Sequence, residues 1–164
     1  MTTTGNEITF GEGEFIVSKT DLKGKITYGN ELFIQISGYT ELELLGAPHS
    51  ILRHPDMPKC AFKLVWETIQ QGEEIFALVK NLAKNGNHYW VKAHVTPSFD
   101  TTGQIIGYHS VRRKPSQNII KTIEPLYKIL LQEEQKGGMN AGYNKLLEIL
   151  SKEGVTYEQF IFAL

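Results

Sequence analysis

Arg53, His54 and Asp56 place a guanidinium, an imidazole and a carboxylate within four consecutive positions, inside the stretch Gly46-Ala-Pro-His-Ser-Ile-Leu-Arg-His-Pro-Asp-Met-Pro58. A planar cationic fork beside a titratable ring suits a phosphate or the polar edge of a ligand, with the carboxylate orienting one of them or bonding a hydroxyl. Pro48, Pro55 and Pro58 each fix their own φ and push the preceding residue out of the helical region, so the segment is a stiff connector and not a helix. The same residues also fit a structural part, with Asp56 or His54 capping a helix whose first turn holds Pro58. Spacing alone leaves both readings open.

The rest of the composition removes several function classes. Lys and Arg number 17 against 18 Asp and Glu, for a net charge of -1. That gives no footprint for nucleic acid, and the one basic cluster, Arg112-Arg113-Lys114, is too short to track a phosphate backbone. No run of about twenty apolar residues occurs, and Met1-Thr-Thr-Thr-Gly5 lacks the basic and apolar regions of a signal peptide. The expectation is a cytoplasmic protein with no direct membrane insertion. The single Cys60 excludes an internal disulfide or a multi-cysteine metal site, and its place behind Pro58 marks it as packed. No nucleophile elbow, Walker loop or His-Glu-x-x-His pair is present, and His109 and Ser110 fall on opposite faces of a strand, so no enzyme is expected.

The elements that must position the connector follow from periodicity. Residues 14–28 read as a hairpin turning at Asp21-Leu-Lys-Gly24. Glu31–Ser37 has a helical apolar face ending at Gly38, and Thr40 with Glu43 forms a capping box before a second short helix. Phe62, Val65, Trp66 and Ile69 make the apolar stripe of a longer helix over Lys59–Gly72. Glu74–Leu82 and His88–Thr96 form a hairpin across Lys84-Asn-Gly-Asn87, followed by a strand over Gln104–Arg112 in which Gly107 marks a bulge or a close backbone approach. Lys114-Pro-Ser116 starts a helical extension, with Pro125 bending or restarting it. The organisation is an N-terminal segment (1–13), a domain (14–115) and a C-terminal helical extension (116–164). A five-stranded antiparallel sheet with helices inserted after its second strand is an α+β half-barrel with a cleft between layers.

That order is the order of PAS domains. Phe15-Ile-Val-Ser-Lys-Thr-Asp-Leu-Lys-Gly-Lys-Ile-Thr-Tyr28, Ile36-Ser-Gly-Tyr39, Leu45-Gly-Ala-Pro-His49, Arg53-His-Pro-Asp-Met-Pro-Lys59, Val79-Lys-Asn81, Asn85-Gly-Asn-His-Tyr-Trp-Val91 and Gly107-Tyr-His-Ser-Val-Arg112 resemble the PAS domain of bacterial aerotaxis receptors. In lacking a membrane segment and a long coiled coil, the chain is also similar to the stand-alone PAS proteins of energy taxis, which work beside a separate transmembrane chemoreceptor-type protein. The resemblance implies an FAD-binding redox sensor that signals by protein contacts, with flavin held by Arg53, His54 and Asp56. Trp66 offers a ring face, although its place on the helix stripe also accounts for it as core. Asn30 and Asn81 flank the cleft and fit either the polar rim of a flavin or the turn and sheet backbone. One departure stands out: Gly72-Glu-Glu-Ile75 replaces a Gly-Glu-Pro-Trp of the receptors, so an indole associated with flavin there is missing.

Two other functions stay open at this stage. A haem-based gas sensor would draw its ligand from His54, His88, His94 or His109, the long helix having none, and a ligand-free adaptor would act through contacts alone. Output surfaces are the open face of the sheet, where register decides whether Tyr89, Val91 or Ile106 meets solvent, and the helix after Pro115, either of which also fits a homodimer. The alternative for the extension is that it folds back to complete the core.

Overall fold

The computed structural model describes residues 2–162. Strands β1 (Ile16–Thr20) and β2 (Ile26–Gly29) are followed by α1 (Glu31–Ser37), α2 (Glu41–Leu44), a 3-10 turn (His49–Leu52) and α3 (Lys59–Gln70). The chain returns through β3 (Ile75–Leu82), β4 (His88–Phe99) and β5 (Ile105–Arg113), then runs into α4 (Gln117–Glu153) and α5 (Tyr157–Phe162). The sheet order is β2-β1-β5-β4-β3 and every pairing within it is antiparallel. The last strand lands between the first hairpin and the second. Gly107 allows this closely, because a Cβ there would collide with the Thr20 carbonyl on β1.

Local signals set the helix ends. Thr40 accepts a hydrogen bond from the Glu43 amide while the Glu43 carboxylate accepts from the Thr40 amide, which is the reciprocal box read from the sequence. At α3 the expectation of a cap from Asp56 or His54 does not hold. Pro58 is the N-cap residue and makes no side-chain bond, while the His54 ring accepts from the Asp56 amide at 2.9 Å and closes a turn inside the connector.

Alternation along the strands divides the side chains between two cores. On the inner face Tyr89 and Val91, both 0% exposed, pack with Phe33, Ile36, Leu44 and Leu52 from α1, α2 and the 3-10 turn. The register therefore buries two of the three residues considered for the open face, and only Ile106 is exposed. On the outer face Leu78 and Trp90 are covered by Ile123, Leu126, Tyr127 and Leu130 of α4, so the extension does fold back, over the β3–β4 side. Each such fully buried Leu or Ile contributes about 1.5–3 kcal/mol of apolar burial. Phe162 of α5 joins the edge, ring against ring with Phe76 at 5.0 Å, while remaining half exposed.

Pro125 does not restart α4, whose backbone leaves the helical region only at Gly138, with φ 80 and ψ -172. That geometry is open to glycine and strained for other residues. The second half of α4 thereby turns back onto α3. The N-terminal segment is likewise joined to the fold, since Ile8 donates to the His88 carbonyl at 2.7 Å and His88 donates to Asn6 at 2.9 Å.

Candidate functional site

A cavity of about 330 Å³ lies between α3 and the inner face of the sheet. Its walls are mostly apolar: Phe62, Val65, Trp66 and Ile69 from α3 face Ala77, Val79, Val91, Ala93 and Val95 from β3 and β4. Trp66 and Tyr108 meet edge to face at 5.3 Å across it. The volume is at the lower end of the range for small-molecule sites, and the shape suits a flat apolar group.

One end of the cavity is polar. Arg112, 2% exposed, donates from Nη2 to Ser18 Oγ at 2.7 Å and from Nη1 to His49 Nε2 at 3.1 Å. Arginine has no acceptor, so His49 Nε2 must be the acceptor and the ring neutral, with its proton on Nδ1. Ser18 Oγ, 3.1 Å from the same nitrogen, can then donate to it. The guanidinium also stands 4.8 Å over the Phe33 ring, which stacks on His49. Burial, and then the Arg112 charge, push His49 down to about 3, while burial lowers Arg112 to about 10, leaving it cationic at neutral pH. His49 keeps partial exposure and is among the residues lining the cavity.

Arg112 is without a balancing anion among the described residues, where no carboxylate forms an ion pair with it, and its buried Nε has no hydrogen-bond partner. A buried, unpaired cation costs free energy, and a donor left unmade adds to that cost. An electron-rich edge seated at this end of the cavity offsets both.

The sequence-derived residues divide into two groups. Arg53, Trp66 and Asn81 line the cavity. Arg53 is exposed, its guanidinium 4.6 Å over the Phe62 ring and its backbone bridged to Asn81. With Lys23 of the first hairpin it puts exposed positive charge beside the apolar walls. His54, Asp56 and Asn30 are committed elsewhere. His54 is 4% exposed, holds the Asp56 amide, and meets His88 edge-on; burial followed by the Lys80 charge lowers its pKa. Asp56 points outward and accepts from Lys80 Nζ at 2.8 Å, the bond that lowers its carboxyl pKa. Asn30 accepts from the Val17 and Phe33 amides and donates to the Phe15 carbonyl, which spends its side chain on pinning α1 to β1.

Arg112, His49 and Ser18 were not singled out from the sequence. Arg112 belongs to a triplet weighed only as a basic cluster too short for nucleic acid, yet it shares strand phase with Tyr108 and Ser110, and that parity places it inside. Ile75 packs at 3% exposure with Ile69 and Tyr108 and is not a lining residue, so an indole there would meet those two side chains before the cavity. Cys60 lies outside the cavity in the α3–α4 core, and burial, with Glu134 beside it, pushes its thiol up to about 12.

The PAS fold family matches residues 26–112. The aerotaxis receptor of Escherichia coli (strain K12) is 49% identical over 115 residues, covering 70% of this chain and 22% of the receptor. Biofilm dispersion protein BdlA of Pseudomonas aeruginosa is 30% identical over 87 residues, 52% of this chain and 21% of that protein. The chain thus spans about a fifth of the length of these curated relatives. Among solved structures, a light-oxygen-voltage domain studied with a flavin analogue superposes with a TM-score of 0.62 at 23% identity, over 75% of this chain and 89% of the other. The dark structure of the Aureochrome1 light-oxygen-voltage domain gives 0.59 at 23% identity, over 73% and 84%. The family match and the sequence identity together have one reading: this chain belongs to the PAS fold family, as a PAS domain of the aerotaxis-receptor type.

Proposed function

We propose that the protein is a cytoplasmic redox sensor that holds FAD in the α3–sheet cavity and signals by contact with a transmembrane chemoreceptor-type protein. The observation that carries this reading is Arg112, a buried guanidinium with no anion and an unused Nε, at the end of an apolar slot. An isoalloxazine is a flat ring system whose polar edge collects charge on reduction, and Arg112 with neutral His49 supplies donors for that edge. Exposed Arg53 and Lys23 suit the diphosphate. The flavin supplies the electron chemistry; the chain orients the ring and sets how readily charge accumulates on it.

Two rival readings are less well supported by the same geometry. For haem, α3 brings no histidine to the cavity, the Nε2 of His49 is already an acceptor for Arg112, and His109, which also borders the cavity, is out of strand phase with the inward Tyr108, Ser110 and Arg112. For a ligand-free adaptor, the unpaired Arg112 would be a cost without a return. A photochemical thiol adduct is also disfavoured, because Cys60 is not among the lining residues.

His54, Asp56 and Asn30 then serve by shaping the connector and the α1 cap, while Arg53, Trp66 and Asn81 face the ligand. For output, β1, β2 and β5 leave an outer surface with Phe15 and Tyr28 exposed, and α4 exposes Ile129, together a docking face for a receptor or a second copy. Among the described residues no helix is long and apolar enough to cross a membrane. The visible spectrum of the purified chain, with the released chromophore identified by mass, tests the proposal. Flavin bands and an FAD mass are expected; a Soret band, or a colourless chain that cannot be loaded with FAD, overturns it.

A further inference from the structure

The C-terminal extension holds one wall of the cavity, α3, from outside, at its amino end. Helices leave their first amides without internal partners, and Pro58 offers no side-chain cap. Glu134 of α4 fills that role: one oxygen accepts from Lys59 N at 2.9 Å and the other from Cys60 N at 2.8 Å. Its charge also lies at the positive end of the α3 dipole. Room for it depends on Gly142, where a Cβ would collide with the Glu134 side chain. Beyond the Gly138 kink, Tyr143 continues the contact, its hydroxyl donating to Glu67 at 3.3 Å and its ring 4.5 Å from Lys63 Nζ. The opposite side of the same helix carries Phe62, Val65, Trp66 and Ile69 into the cavity.

We propose that Glu134 is a positioning residue for the cavity, a latch on α3 that couples what the cavity holds to whether residues 139–162 stay docked. A ligand that braces α3 tightens the latch. Its loss uncovers Leu146, Leu150, Tyr157 and Ile161, all buried while docked. The identity of the occupant rests on the flavin reading above; the latch itself does not.

Hydrogen exchange on the full chain, with FAD as the probe, tests this. Glu134→Gln is expected to speed exchange at the Lys59 and Cys60 amides by about tenfold, the difference between a charged and a neutral acceptor, while the Tyr89 and Val91 amides stay protected. Gly142→Ala, which displaces the carboxylate without changing its charge, should do the same. FAD should slow both amides in the unaltered chain, and because coupling is reciprocal the Kd for FAD should rise in Glu134→Gln by no more than the factor by which FAD slows them. FAD that binds, by its spectrum, yet leaves exchange at Lys59 and Cys60 unchanged overturns the latch. If no FAD binds, the flavin reading falls, and Ala93→Phe, which fills the cavity from β4, then decides. Altered exchange at the two amides supports the latch, and unaltered exchange overturns it.

Discussion

Arg53 and His54 are neighbours in the chain, whereas Arg112 and His49 meet across 63 positions. Both pairs join a guanidinium to an imidazole, but only the distant pair forms one polar group. In the connector the two side chains part: Arg53 lies over Phe62 beside the cavity, and His54 turns inward to hold the Asp56 amide. Under the cavity, strand parity and the turn after Pro48 bring Arg112, His49 and Ser18 within hydrogen-bond reach. Adjacency in sequence made a rigid scaffold here, and convergence through the fold made the chemistry.

The contrast is sharpened most by Arg112→Met. Removing a buried cation that has no anion should leave stability unchanged or raise it, while weakening FAD by about tenfold to a hundredfold, the loss of a charged hydrogen bond. Calorimetric melting and a flavin titration read the two effects. A large loss of stability with unchanged affinity would make Arg112 a structural residue and erase the distinction.

His49 gives the next effect, through pH. Its folded pKa of about 3 lies below the unfolded value of 6.5, so as pH falls the unfolded chain takes up the proton first. Stability is present above about pH 6.5 and is lost as the pH falls toward 3, by about 2 kcal/mol between pH 7 and pH 5. Burial also lowers His54, His88 and His109, so His49→Gln should flatten the profile without abolishing it. Denaturant midpoints across that range decide, and identical profiles would argue against a neutral His49 in the fold.

Arg53→Ala should weaken FAD by about tenfold while losing no more than the about 0.5–1 kcal/mol that an exposed stacked arginine contributes to the fold. Asp56→Asn should do least: it removes one exposed ion pair to Lys80, with less than about 1 kcal/mol of stability lost and no change in FAD affinity. If Asp56→Asn releases flavin while Arg53→Ala does not, the connector reaches the ligand in a way these contacts do not provide.

Much of the architecture was legible because its signals are local. The Thr40–Glu43 box, the helix stripe of Phe62, Val65, Trp66 and Ile69, and the Asn-Gly turn between β3 and β4 each specify an element from a few residues. The site was half legible. Arg53, Trp66 and Asn81 lie on segments whose type was clear, but nothing set Arg112 apart within its basic triplet until the register of β5 was fixed. Asn30 had the chemistry of a ligand contact and the position of a cap, and the backbone amides of Val17 and Phe33 took it. Glu134 carried no signal, because a cap supplied from 75 residues away has no sequence spacing to read.

One more contact links the extension to the sheet. The Leu78 amide donates to the Tyr157 hydroxyl at 3.1 Å, and the Tyr127 hydroxyl donates to the Leu78 carbonyl at 2.6 Å. The two hydroxyls lie 2.6 Å apart, so Tyr157 donates to Tyr127 and each proton of the ring is placed. Leu78 is on β3, at the border of the sheet, with its amide and carbonyl turned outward. A pair of phenols thus stands in for one rung of a sixth strand. A chain shortened before Tyr157 would uncover that rung and offer strangers a template for pairing, so that its first symptom should be self-association and not unfolding.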